Sequence, residues 1–191
     1  MRFSNENNAL IAQNNGETLR IEAWGKDSLR VRATMFSEFR NLEWALTEKP
    51  AETKAAVTIS EEDHWVGDGT IDRKPIAEIT NGRLRAVVNF AGIISFYKDG
   101  ELFLREYFRA YDGTLSRSSR CLKVVNREWK GLHGARNYHL NVKFEANKGE
   151  KIYGMGQYQD GQLDLKGCVL ELAQRNSQIS VPFMLSNKGY G

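Results

Sequence analysis

Cysteine and histidine are scarce in this chain of 191 residues, which has two cysteines and three histidines. Cys121 and Cys168 lie far apart and form no Cys-x-x-Cys motif, so their spacing favours neither a disulfide framework nor a structural zinc site. The sequence also contains no HExxH, GxSxG or P-loop motif. These absences predict a protein without a metal or another cofactor.

Long apolar segments and charge of one sign are missing as well. No apolar stretch approaches the ~20 residues that cross a bilayer, and residues 1–8 lack the apolar core of a signal peptide. The formal net charge is only +3, and arginines such as Arg30 and Arg32 alternate with apolar residues instead of forming a basic patch. We therefore expect neither a membrane nor a nucleic acid as a partner, and a cytoplasmic location.

Apolar and polar residues alternate with a period of two along much of the chain, which is typical of half-buried strands. Three hairpins are predicted, at residues 19–33, 77–90 and 93–107, with turns at Gly25-Lys26-Asp27, Asn81-Gly82 and Lys98-Asp99-Gly100. Asn-Gly and Asp-Gly between alternating segments favour tight turns, because glycine accepts the positive φ that such turns need.

Further strands are predicted at residues 55–60, 138–144 and 179–185, and two short ones between 163 and 173. Residues 37–75 are expected to form long loops around the strand at 55–60. Pro182 cannot donate to a strand ladder, so we expect it at an edge or a bulge. Many short strands without a convincing helix predict an all-β fold, an antiparallel β-sandwich in one domain over residues 1–191.

Few residues suggest chemistry by themselves. His133 and His139 could serve a mutarotase-like sugar epimerase, and Asp160 with Asp164 could form a pair of carboxylates. We expect His139 to face water, because Asn137, Asn141 and Lys143 are polar residues of the same strand. The closeness of the two aspartates in sequence is expected by chance. The tryptophans could stack on sugar rings, although core packing is the commoner use. An independent carbohydrate-binding module is thus a further alternative.

Several ordered blocks resemble family 31 of the glycoside hydrolases. They are Leu29-Arg30-Val31-Arg32, the Asn81-Gly82 hairpin, Glu150 to Gln157 (EKIYGMGQ), Val181-Pro182-Phe183 and Gly189-Tyr190-Gly191. The resemblance implies the galactose-mutarotase-like N-terminal β-sandwich of a retaining α-glucosidase or α-xylosidase. In that family a following (β/α)8 barrel carries the two catalytic aspartates. The chain is therefore expected to be truncated before its barrel, to contain no catalytic residue and to be inactive alone.

The resemblance also implies a contact with substrate. In the family, a loop of this domain reaches the sugar-binding cleft with an Asn-Arg-Asp segment, which corresponds here to Gln174-Arg175-Asn176. Arg175 and Asn176 are the predicted substrate-binding residues. Asn176 stands where the family has an aspartate, so an amide that both donates and accepts replaces a carboxylate that only accepts. The expected partners are the barrel of the same polypeptide and a glycoside. Val181, Phe183 and Tyr190 would form an apolar patch toward the barrel, and exposure of that patch could produce a homo-oligomer.

Overall fold

The structure is a computed structural model that describes residues 1–40, 55–66, 69–109, 124–159 and 161–191. Every regular element in these residues is a β-strand, and no helix there could span a bilayer. The chain forms two compact units, Met1–Glu145 and Ala146–Gly191, which are described separately. The single domain over residues 1–191 stays a prediction.

The first unit begins with a four-stranded antiparallel sheet in the order β1-β2-β3-β4. Its strands are β1 (Arg2–Glu6), β2 (Ala9–Asn14), β3 (Glu17–Ala23) and β4 (Leu29–Met35). Leu19 pairs with Ala33 and Ile21 with Val31, which confirms the predicted hairpin at residues 19–33.

A five-stranded antiparallel sheet follows in the order β5-β6-β7-β8-β9. Its strands are β5 (Ala56–Trp65), β6 (Ile71–Asn81), β7 (Leu84–Val88), β8 (Ile94–Lys98) and β9 (Glu101–Arg105). The β6–β7 and β8–β9 pairings confirm the two other predicted hairpins. At the β8–β9 turn Asp99 and Gly100 both have positive φ, 52° and 87°, as the Asp-Gly signal requires.

The hydrophobic core lies between these two sheets. The first sheet contributes Leu10, Leu19 and Ile21, and the second contributes Ile79 and Val88, all at most 1% exposed. Alternate residues of each strand reach this layer because successive side chains point to opposite faces. The predicted all-β antiparallel sandwich is therefore confirmed.

Two further antiparallel pairs complete the described structure. In the first unit, β10 (Arg127–Gly131) pairs with β11 (Tyr138–Val142); in the second, β12 (Ile152–Gln157) pairs with β13 (Ile179–Ser186). The β12–β13 register shifts between Gly154 and Gly156, which pair with Met184 and Ser180. Pro182 lies inside this irregularity, as its missing N–H predicted.

Two predictions of local structure were wrong. Residues 163–173 contain no strand: Val169 is 99% exposed, and Leu165 is buried in a turn region. Residues 61–65 and 71–75 were assigned to loops, yet they extend the β5–β6 hairpin, where Trp65 pairs with Ile71. Most side chains on this part of the hairpin are exposed, so the apolar alternation that signals a strand is missing there.

Candidate functional site

The predicted substrate-binding residues lie on a tight turn that leads into β13. Arg175 and Gln178 form an antiparallel bridge, in which the Gln178 N–H donates to the Arg175 carbonyl oxygen at 3.1 Å. Asn176 and Ser177 form the turn between them, and Ser177 has a φ of 68°. Arg175 and Asn176 are both exposed, and Arg175 pairs with the exposed carboxylate of Glu171. The turn therefore presents a guanidinium and an amide to solvent.

A set of hydrogen bonds around Ser180 holds this turn. The Gln174 Nε2 donates to the Ser180 carbonyl oxygen at 2.8 Å, and the Ser180 N–H donates to the Gln174 Oε1 at 3.3 Å. The Ser180 hydroxyl donates to the Ala173 carbonyl oxygen at 2.9 Å and lies 3.1 Å from the hydroxyl of Tyr158. Sequence reasoning missed these residues, although a serine between Ile179 and Val181 is the expected sign of an inward-facing hydroxyl.

One face of β13 is an exposed apolar row. Its members are Ile179, Val181, Phe183 and Leu185, which are 56%, 45%, 54% and 49% exposed. The exposure of Val181 and Phe183 agrees with the predicted patch, and the row continues from the turn that carries Arg175 and Asn176. Four adjacent exposed apolar side chains are typical of a surface that another protein surface covers.

Tyr190, the third residue predicted for the patch, instead bonds to a buried carboxylate. Its hydroxyl donates to Glu150 Oε1 at 2.5 Å, and Glu150 also accepts from Ser186 Oγ and Lys166 Nζ, both at 2.7 Å. Burial alone would raise the pKa of Glu150, but these hydrogen bonds and the Lys166 charge lower it to about 2. Burial and the bond to Glu150 raise the pKa of Tyr190 to about 12. Glu150 thus stabilises the end of the β12–β13 pair at which β12 begins and β13 ends.

The other candidates for catalysis have ordinary surroundings. His133 and His139 are both exposed at the β10–β11 hairpin, which confirms the prediction made for His139. The Asp164 carboxylate accepts the backbone N–H groups of Ile152 and Lys166, both at 3.1 Å, and so shapes the backbone. Asp160 lies outside the described residues. Within the described ranges no three His, Cys, Asp or Glu side chains are grouped as a metal site would need.

The tryptophans do not fill the core as expected. Trp65 is 68% exposed, and Trp24, half-buried, stacks with the Arg30 guanidinium 4.4 Å from its ring centroid. Trp129 is half-buried, and its Nε1 donates to Glu17 at 3.0 Å. Trp44 lies outside the described residues. The core is aliphatic instead.

The two packed antiparallel sheets define the first unit as a β-sandwich. The chain belongs to the glycosyl hydrolase 31 N-terminal galactose mutarotase-like domain family, whose model matches residues 18–191. The match extends through the Arg175–Gln178 turn and the whole of β13, so it includes the candidate site.

Similar proteins are longer glycosidases. The chain is 44% identical over 184 residues to the uncharacterized family 31 glucosidase ORF2 of Pseudescherichia vulneris. The matched region covers 92% of the chain and 32% of that protein. It is 28% identical to α-xylosidase A of Aspergillus niger, over 98% of the chain and 25% of that protein. The crystal structure of a soil-metagenome GH31 α-xylosidase complexed with xylose matches with a TM-score of 0.81 and 39% identity, over 97% of the chain and 26% of that protein. The chain thus spans about a quarter to a third of the length of these relatives.

Proposed function

We propose that this chain is the non-catalytic N-terminal domain of a retaining α-glycosidase that hydrolyses α-xylosides or α-glucosides. In this proposal the domain packs on a catalytic (β/α)8 barrel of the same polypeptide and contributes Arg175 and Asn176 to the sugar-binding cleft. The observation that carries the proposal is the Arg175–Gln178 turn, a polar tip that leads directly into the exposed apolar row of β13.

The chemistry of the two surfaces supports this division of roles. Burial of the apolar row against a second domain would be favourable by about 25 cal/mol per Å2 of apolar surface. A turn at the border of such an interface stays open to a ligand, and the Asn176 amide can both donate to and accept from sugar hydroxyls. A domain beside the mouth of a barrel also deepens the cleft and excludes water.

The exposed thiol of Cys168 and the apolar row of β13 bear on the location and the assembly of the protein. We infer a cytoplasmic enzyme, which the exposed free thiol of Cys168 supports because such thiols persist in reducing compartments. The apolar row of β13 could also produce homo-oligomers of the 191-residue chain, since the same row would then be covered by a second copy.

Hydrolysis assays test the proposal. The 191-residue chain should not cleave 4-nitrophenyl α-xyloside or α-glucoside, whereas the complete protein should cleave one of them with release of the α-anomer, observed by proton NMR. Cleavage by the 191-residue chain alone would contradict the non-catalytic role. Release of the β-anomer would contradict the retaining mechanism.

The epimerase alternative needs a separate test, because it places chemistry in this chain. Polarimetry on freshly dissolved α-glucose should give the same rate with the chain as with buffer. A faster rate that His133→Ala and His139→Ala both abolish would replace the glycosidase proposal by a mutarotase.

A further inference from the structure

A small cleft lies in the second unit, beside the bulge between β12 and β13. It has a volume of about 240 Å3, and its lining includes Gly154, Gly156, Gln157, Tyr158, Gln162 and Leu163. This volume is below the ~300–1,000 Å3 of pockets for drug-sized ligands, so the cleft suits one small ring and not a chain of sugars.

Close approach of two strands creates the cleft. Gly156 has a φ of 118°, and a Cβ atom added there would lie 2.0 Å from the Ile179 carbonyl oxygen. A Cβ atom added at Gly154 would lie 2.6 Å from the Phe183 carbonyl oxygen. Only glycine at both positions allows β13 to approach this closely. The cleft is therefore built into the β12–β13 pairing.

The lining has a distinct chemical character. The described residues that line it include no charged side chain. Gln157 and Gln162 supply amides that can donate and accept, although the Gln162 Nε2 already donates one hydrogen bond, to the Asp164 carbonyl oxygen at 3.0 Å. Leu163 supplies an apolar wall that is 77% exposed. Neutral paired donors and acceptors beside an apolar wall suit a neutral, polyhydroxylated ring better than an ion.

We propose that this cleft binds a single neutral pyranose unit, with Gln157 and Gln162 as its hydrogen-bonding residues. The choice of xylose as the probe rests on the proposed glycosidase function, but the site itself needs only residues of this chain. Gln157 pairs with Ile179, the residue that follows the Arg175–Gln178 turn, but no residue of that turn is among the described residues that line the cleft.

The test is a titration of the 15N-labelled 191-residue chain with xylose, followed by two-dimensional NMR. We expect the side-chain amides of Gln157 and Gln162 and the backbone amides of Gly154 and Gly156 to shift with one saturable curve. Xylitol has hydroxyls but no ring, and it should not shift them. Each of Gln157→Ala and Gln162→Ala should weaken xylose binding about fivefold, as the loss of one hydrogen bond predicts.

Gln13→Ala is the matched control, because it removes an exposed glutamine from the first unit; it should leave the titration unchanged. The dispersion of each NMR spectrum shows whether a variant is folded. Unshifted cleft amides with xylose, equal shifts with xylitol, or unaltered binding in the double variant Gln157→Ala/Gln162→Ala would each overturn the pyranose site. Hydrolysis by the complete protein does not depend on these readouts, so the cleft can be disproved while the proposed function stands.

Discussion

The Arg127 guanidinium lies 2.6 Å from the Glu106 carboxylate, and both side chains are buried, at 6% and 2% exposure. Arg127 also donates to Glu17 of the first sheet at 2.7 Å, whereas Glu106 follows β9 of the second sheet. Burial alone would lower the pKa of Arg127, but the two carboxylates raise it. One cation therefore links the two sheets of the sandwich.

Replacement of Arg127 by methionine should destabilise the first unit by about 3–5 kcal/mol, because it leaves two carboxylates in a largely buried position without their cation. Urea unfolding followed by tryptophan fluorescence measures the effect. Arg83→Met is the control, since Arg83 pairs with Asp99 on the exposed surface and should shift the midpoint little. Equal midpoint shifts in the two variants would contradict a special role for the buried pair.

This link between the sheets illustrates what the sequence could not predict. The hairpins were readable because Asn81-Gly82 and Asp99-Gly100 are local signals with a steric cause. The pairing of Arg127 with Glu17 and Glu106 joins residues far apart in the chain, and in sequence each is indistinguishable from a solvated surface charge. Only the folded arrangement identifies them as buried partners.

Local patterns led to one turn that was not predicted and to strands that were predicted but do not form. Asn7 and Asn8 have φ of 53° and 61° and form the β1–β2 turn, a signal present in the sequence but not used for prediction. The leucines between residues 163 and 173 alternate like a strand, yet Asp164 bonds to backbone N–H groups and holds an irregular path. The structure places Arg175 and Asn176 on one exposed turn, and the hydrogen bonds by which Ser180 and Gln174 hold that turn emerged only from the structure.

Acid should selectively loosen the second unit, because its buried carboxylate Glu150 has a pKa of about 2, below the ordinary 4.5. A carboxylate with a depressed pKa contributes its full stabilisation to the folded state at pH values above its ordinary pKa. This stabilisation is lost as the pH falls from about 4.5 to about 2. The shift corresponds to about 3 kcal/mol. Hydrogen exchange of the β12 and β13 amides across this pH range measures it.

Two variants make the acid prediction specific. Glu150→Gln should lower protection at neutral pH and remove most of the dependence between about pH 4.5 and about pH 2. Glu171→Gln, which alters an exposed carboxylate of the same unit, should retain the wild-type profile. A profile for Glu150→Gln that follows the wild-type curve would assign the acid sensitivity to other groups.

Gly156→Ala should disrupt the β12–β13 pair, because the new Cβ atom would lie 2.0 Å from the backbone oxygen of Ile179 and backbone cannot move aside as a flexible side chain does. Gly149→Ala is the control: Gly149 also has positive φ, 68°, but no atom lies within 4 Å of its added Cβ. That variant should cost only about 1 kcal/mol of backbone strain. Similar losses of β12 protection in hydrogen exchange for both variants would show that the positive φ, and not the contact with the Ile179 oxygen, causes the loss.

Asn176→Ala in the complete protein should raise KM or change the preferred leaving sugar, because the amide is proposed to bond to a sugar hydroxyl near the scissile bond. Loss of one such bond to a neutral group corresponds to about a fivefold effect. Steady-state kinetics with two α-xylosides that differ in their leaving group measure it, and Asn5→Ala, at an exposed position on β1, is the control.

Ser180→Ala removes the hydroxyl that bonds to the Ala173 carbonyl and loosens the turn without touching Asn176. It should therefore raise KM in the same direction as Asn176→Ala, with kcat less affected. Unchanged constants for Asn176→Ala would return the residue to a purely structural role in the turn, whatever the outcome for Ser180→Ala.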